Sequence, residues 1–294
     1  MTARSVKERL LQELWNRDPR YYDLAREQVR AAARVAGEYA FLKRWLPVRG
    51  TVLEVGCGEG SNLEVVERTG LRLVGCDLSA LALSCARDAS RRATESARPQ
   101  APPPPLFLRA DAERLPFPDR NFDAVFAVSL LEHLPEPDAV IEEMIRVLAP
   151  GGRLILISPQ YGGPLGASPC RKTGGAARFV RRLARAHVPV PPKPLSLDWD
   201  RVEPLVLEGA VYDGDLDAVI EPELSSLRRF LRARGMTIEA ATSGFEWHTW
   251  LGRRASLPQR AARALLEPLG RAGIRPYRDF GPLIAIAGYK EFLA

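Results

Sequence analysis

The residues best placed to do chemistry lie in VLEVGCGEG, Val52 to Gly60, where a β-branched apolar run leads into Gly56, Gly58 and Gly60. Glycines at that spacing let the backbone turn sharply and approach a ligand that a Cβ would hold off. Glu54 precedes them, and its carboxylate would repel a pyrophosphate while favouring a ligand with an ammonium or sulfonium. The spacing agrees: a dinucleotide fingerprint needs G-x-G-x-x-G, whereas position 61 is Ser and Gly60 comes one residue early. Asp77 ends a second apolar run about twenty residues beyond Gly56, with Leu78 after it, where a carboxylate can accept both hydrogen bonds of a ribose diol. Its alternative is a helix cap, a role Ser79 fills equally well. Asp111 and Ala112 end a third run and suit an adenine amino group and ring, or a plain turn. Val128 and Ser129 close a fourth run at the edge where open α/β sheets bind ligands.

A general base is required only if the group being modified must lose a proton. His248, flanked by Trp247 and Trp250, is the candidate, since a neutral imidazole can take a hydroxyl proton near pH 7; a packing or surface histidine is the alternative. His133, in LLEHL, reads as structural or ligand-adjacent. His187 lies in a basic, proline-rich stretch and receives no role.

Other motifs fail on position. Asp213, Asp215 and Asp217 in DGDLDA begin like a calcium loop, but Ala218 replaces the required Gly and Leu224 the bidentate Glu, so no metal is expected. SPQY at Ser158 follows the fifth strand instead of the fourth. Cys170 sits in a loop well past a strand. Cys57, Cys76, Cys85 and Cys170 form no CxxC pair and read as reduced thiols of a cytoplasmic protein.

These residues need a scaffold of alternating strands and helices. Strands are expected at Thr51–Val55, Arg72–Cys76, Leu106–Arg109, Phe122–Val128 and Arg153–Ser158, with helices from 61, 79 and 138 between them, which implies a doubly wound parallel sheet. Residues 4 to about 46 read as helices. Arg98 to Pro105, RPQAPPPP, reads as a stiff extended connection. Beyond Ser158, about 60 residues rich in Pro, Gly and Arg suit a substrate-binding insertion or lid. A helix at 223–234, a strand at MTIEAAT and a closing strand at PLIAIAGYK follow.

At 294 residues, with 46% hydrophobic and 27% charged residues, the composition is that of a soluble globular protein. The excess of 42 basic over 36 acidic residues is too small and dispersed to demand nucleic acid. No apolar run approaches the ~18 residues of a membrane span.

Taken together, ExGCGxG, the Asp after strand two, DAERLPF, FDAVFAVSLLEHL and RVLAPGGRL resemble the class I S-adenosylmethionine-dependent methyltransferases, most closely their small-molecule branch. The resemblance covers residues 51 to 158 strongly and the last helix and two strands more weakly. It implies a Rossmann-like seven-stranded sheet whose last strand is antiparallel. It also implies S-adenosylmethionine as cofactor: Glu54, Gly56, Cys57, Gly58 and Gly60 around the methionine part, Asp77 and Leu78 at the ribose, Asp111 and Ala112 at adenine, and Ser129 by the amino-acid end. Tyr21 and Tyr22 would close over it or pack in the core.

The expected organisation is a helical cap over 1–50, a cofactor-binding core over 51–158, a substrate insertion over 159–221, and the rest of the core over 222–294 with a second insertion at 244–281. The expected reaction is in-line methyl transfer to a small molecule, such as a metabolite, sugar or lipid-linked intermediate, most readily at oxygen. RNA or protein methylation, or a non-catalytic cofactor-binding subunit, are the alternatives. The protein is expected to be a monomer or homodimer that does not bind DNA. Arg171 to Arg185 reads as a basic amphipathic helix suited to an anionic membrane or lipid-linked acceptor, or as a solvated helix packed on the core.

Overall fold

The computed structural model describes residues 13, 15–33, 37–67, 69–95, 101–171, 175–187, 196–197, 199–205, 216–244 and 257–291. Two helices come first: α1, Pro19–Ala32, capped by Asp18 and started by Pro19, and α2, Gly37–Trp45. Strands and helices then alternate as β1 (Gly50–Val55), α3 (Ser61–Val66), β2 (Leu71–Asp77), α4 (Ala80–Glu95), β3 (Leu106–Arg109), β4 (Phe122–Val128), α5 (Pro137–Val147) and β5 (Leu148–Pro159). After α6 (Gly175–His187) come the two-residue strands β6 (Asp200–Arg201) and β7 (Ile220–Glu221), then α7 (Leu224–Ala233), β8 (Met236–Thr242), α8 (Leu257–Arg271) and β9 (Leu283–Lys290).

Seven strands form one sheet in the order β3-β2-β1-β4-β5-β9-β8. β1 to β5 pair in parallel, while β9 runs antiparallel to both neighbours. Successive residues of β1 feed opposite faces, Val52 into the layer with Leu42, Leu63 and Phe126, and Leu53 into the layer with Met144, Leu156 and Phe230. Both faces of the central strands β1, β4 and β5 are covered, so their middles are mostly apolar instead of alternating with polar residues. Strand order reverses between β1 and β4, and this switch point opens the crevice for a ligand at the strands' C-terminal ends. Lys290 ties the last strand to the core by donating from Nζ to the carbonyls of Ile145 and Leu148, where α5 leaves acceptors without helical partners.

Insertion residues form the antiparallel β6–β7 ribbon and α6. Of the described arginines on the basic helix, Arg178 and Arg182 turn inward, while Arg181 stays half exposed beside the exposed Val180. Arg182 is buried and donates to the carbonyls of Tyr161, Gly163 and Gly166 and to the carboxylates of Asp200 and Glu221. Arg178 and Arg171 also reach Glu221. Phe179 and Leu183 pack on Leu165, Leu266 and Phe280. The spacing of basic residues was legible, but the buried Glu221 and the partly buried Asp200 draw the charge inward. Among the described residues, no helix is long and apolar enough to cross a membrane.

Candidate active site

A cavity of about 680 Å³ lies at the switch point, a size usual for a small-molecule site. The β1–α3 loop forms its floor. Gly56, Gly58 and Gly60 have φ of 70°, 51° and 81°, left-handed values that favour glycine. A Cβ on Gly56 would meet Leu130 and one on Gly60 would meet Phe107, whereas a Cβ on Gly58 would project into open space at the cavity wall. The loop is fixed by N–H bonds from Gly56 and Cys57 to the carbonyl of Cys76, 2.8 and 3.0 Å. Cys57 lines the cavity, and burial holds its thiol well above the ordinary value, so it packs instead of reacting.

Asp77 faces this floor from the end of β2. Its Oδ2 accepts the N–H of Gly58 and its Oδ1 the N–H of Ser79, both at 2.8 Å. Burial raises the Asp77 pKa, opposed by the N–H groups of Ser79, Gly58 and Leu78. Each carboxylate oxygen retains acceptor capacity for a further donor. Leu78, Asp111, Ala112 and Ser129 also line the cavity. Asp111 accepts the N–H of Glu113 at 2.9 Å, so it closes its own turn as well as edging the site. Ser129 has φ of 51°, a left-handed conformation that is uncommon away from glycine and concentrated at functional sites.

Glu54 does not itself line the cavity. It is fully buried behind the loop, where Oε1 accepts from Asn62 Nδ2 at 2.8 Å and Oε2 has no hydrogen-bond partner among the described residues. Burial pushes its pKa well above the ordinary value. Asn62 lines the cavity and its Oδ1 accepts from Tyr39 OH at 2.9 Å, so the acid reaches the site through an amide. Asn62 and Tyr39 escape a sequence reading because each sits inside a helix pattern that core packing explains equally well.

The opposite wall holds a cluster that local sequence does not reveal. His133, in a 3₁₀ turn after β4, lies with Nδ1 3.6 Å from Asp217 Oδ1 and Nε2 3.7 Å from Glu132 Oε1. Asp217 comes from the insertion, and the N–H of Val219 bonding to the carbonyl of Glu132 holds that segment down at 2.8 Å. Trp15 donates from its indole to Asp217 Oδ2 at 2.8 Å and stands edge-on to the His133 ring. Its carbonyl accepts from Tyr22 OH and Ser79 Oγ, so one residue spans from the Asp77 side to Asp217. Tyr21 and Tyr22 both line the cavity.

Trp247, His248 and Trp250 lie outside the described residues, as do Asp213 and Asp215. Trp199 is a core anchor, its indole donating to Ser226 Oγ at 2.6 Å. Cys170 is buried with Sγ on the carbonyl of Leu216, away from the cavity. Among the described residues there is no group of three His, Cys, Asp or Glu that could hold a metal ion.

Comparison with known proteins is consistent with this geometry. The methyltransferase domain family matches residues 53–156. An uncharacterized methyltransferase from Mycobacterium sp. (strain JLS) is 32% identical over 190 residues, covering 63% of this chain and 69% of that protein. The 27-O-demethylrifamycin SV methyltransferase of Amycolatopsis mediterranei is 33% identical over 157 residues, 50% of this chain and 53% of that one. Among solved structures, the [4+2]-cyclase SpnF is 22% identical and shares the fold with a TM-score of 0.53, covering 89% of this chain and 82% of its own. The chain spans between 36% and 69% of the length of these and similar curated relatives.

Proposed function

We propose that this chain, which belongs to the class I S-adenosylmethionine-dependent methyltransferases, transfers a methyl group from S-adenosylmethionine to an oxygen of a small-molecule acceptor. Gly58 carries the reading: its N–H binds Asp77 while its missing side chain leaves the cavity wall open at the place a ligand must approach. The residues present fit the cofactor. Asp77 accepts the ribose hydroxyls, Asp111 and Ala112 meet adenine, and the backbone of Gly56 to Gly60 with Ser129 surrounds the methionine end. Leu78 packs beside the ribose. Glu54 acts indirectly, by orienting Asn62.

When bound, S-adenosylmethionine supplies a methyl group already activated on a sulfonium, which moves as the C–O bond forms and the C–S electron pair stays on sulfur. The protein's main task is therefore placement. A hydroxyl acceptor must also lose its proton, and among the described residues His133 is the imidazole on the cavity wall, with Asp217 and Glu132 each within 4 Å of a ring nitrogen; one nitrogen turns to the acceptor and receives the proton, while His248 lies outside the described residues. Oxygen as the acceptor atom is supported by the relative named for a 27-O-demethyl substrate. The described residues 216–221 of the insertion bring Asp217 to the cavity.

RNA is the weaker alternative, because the cavity's carboxylates repel phosphates. A fold shared with a cyclase does not by itself fix the reaction, so binding and turnover need separate tests. Equilibrium dialysis with methyl-labelled S-adenosylmethionine tests the first: saturable retention displaced by S-adenosylhomocysteine is expected, and no retention would overturn the reading.

A further inference from the structure

The cavity wall has a charge unlike that of the chain. The protein carries 42 Lys and Arg and a net charge of +6, so an unbiased cavity would contain cations. Among the described residues that line this one there is no Lys or Arg, and six are carboxylates: Glu38, Glu59, Asp77, Asp111, Glu113 and Asp217. Nearby arginines turn elsewhere. Arg26 is engaged by Glu64 and by the carbonyl of Glu59, and Arg182 is locked in the cluster with Glu221.

S-adenosylmethionine carries a sulfonium, an ammonium and a carboxylate, one net positive charge. It offsets one of the six, and the remainder still repels an anion, more strongly near the buried Asp217 than near the exposed Asp111 and Glu113. Burial raises the Glu59 and Asp77 pKa values, and the wall carries four further carboxylates besides these two. The rest of the wall is apolar or aromatic, with Trp15, Tyr21, Tyr39, Val29, Leu134 and Leu283. Rings of this kind present large flat surfaces to a planar body.

Resting on the methyltransferase reading, we propose that the acceptor is a hydroxyl compound with an aromatic-sized apolar body and no anionic group, and that the cavity's carboxylates exclude phosphorylated or carboxylated acceptors. Specificity here comes from a repulsive element as well as an attractive one. Among the lipid-linked intermediates the sequence admits, phosphorylated ones are then disfavoured by the wall.

The test uses three phenols that differ in side-chain charge: tyramine (positive), tyrosol (neutral) and 4-hydroxyphenylacetate (negative). Each is titrated calorimetrically into the full chain saturated with S-adenosylhomocysteine. Tyrosol and tyramine are expected to bind, with 4-hydroxyphenylacetate at least about tenfold weaker, and Glu38→Gln is expected to narrow that gap. The anion binding as tightly as tyrosol, a gap unchanged in Glu38→Gln, or no binding by any of the three would overturn the inference. Failure of S-adenosylhomocysteine itself to bind would instead refute the methyltransferase reading, so the two failures are separable.

Discussion

Asp217 places Oδ1 3.6 Å from Nδ1 of His133, bringing the insertion beside the turn after β4 on one wall of the cavity. The pair is kept in place from both sides, by the Trp15 indole on Asp217 and by the Val219 N–H on the carbonyl of Glu132. An imidazole oriented in this way can accept a proton during attack on a methyl donor.

Replacing His133 by Ala is therefore expected to lower methyl transfer by about 10²- to 10⁴-fold with S-adenosylmethionine affinity nearly unchanged. Asp217→Asn should lower turnover by less and shift its pH profile, because the carboxylate orients the ring without touching the acceptor proton. Single-turnover rates and binding isotherms measured on the same variants check both. Full activity in His133→Ala would remove the base assignment.

Ser129 adopts φ of 51° at the end of β4. A β-branched side chain there is strained, so Ser129→Val should cost about 1–2 kcal/mol in urea unfolding while Ser129→Gly stays close to wild type. Equal stability of the two variants would show that the backbone relaxes.

Glu54 gives a pH signature. Its folded pKa is raised above 4.5 by burial, so the stability it contributes is fully present below that value and is lost as pH rises through the folded value. The stability of wild type relative to Glu54→Gln should therefore decline as pH rises from 4.5 toward neutrality, with the variant at least as stable at neutral pH. Urea midpoints across that range provide the measurement; a flat difference would contradict the assignment.

Arg182 is 6% exposed and shares Glu221, which is fully buried. Truncation to Ala leaves Glu221 with Arg171 and Arg178 but removes a buried guanidinium that also holds three carbonyls, and a loss of about 1–3 kcal/mol in unfolding free energy is expected. Arg181, half exposed and paired only with Asp200 among the described residues, should cost well under 1 kcal/mol when replaced by Ala.

The core was readable in the sequence because its signals are local. A strand, a glycine turn and an acid at the end of the next strand lie within one βαβ unit, so Gly56, Gly58 and Asp77 fell together as expected. Glu54 was expected at the ligand but sits behind Asn62, because the helix after the glycine turn places an amide between the acid and the cavity. His133 and Asp217 could not be joined from sequence. The motif around Asp217 resembled a failed calcium loop, and only the tertiary fold brings it beside a histidine. The arginines of α6 showed helical spacing in the sequence, but their inward direction depends on Asp200 and Glu221 from the ribbon.

The measurement that tests the central claim most directly is calorimetric titration of S-adenosylmethionine into wild type and Asp77→Ala, with NAD titrated in parallel. Micromolar binding that Asp77→Ala weakens at least tenfold, about 1.4 kcal/mol, with NAD bound far more weakly, is the predicted result. Absence of S-adenosylmethionine binding, tighter NAD binding, or indifference to Asp77→Ala would contradict it.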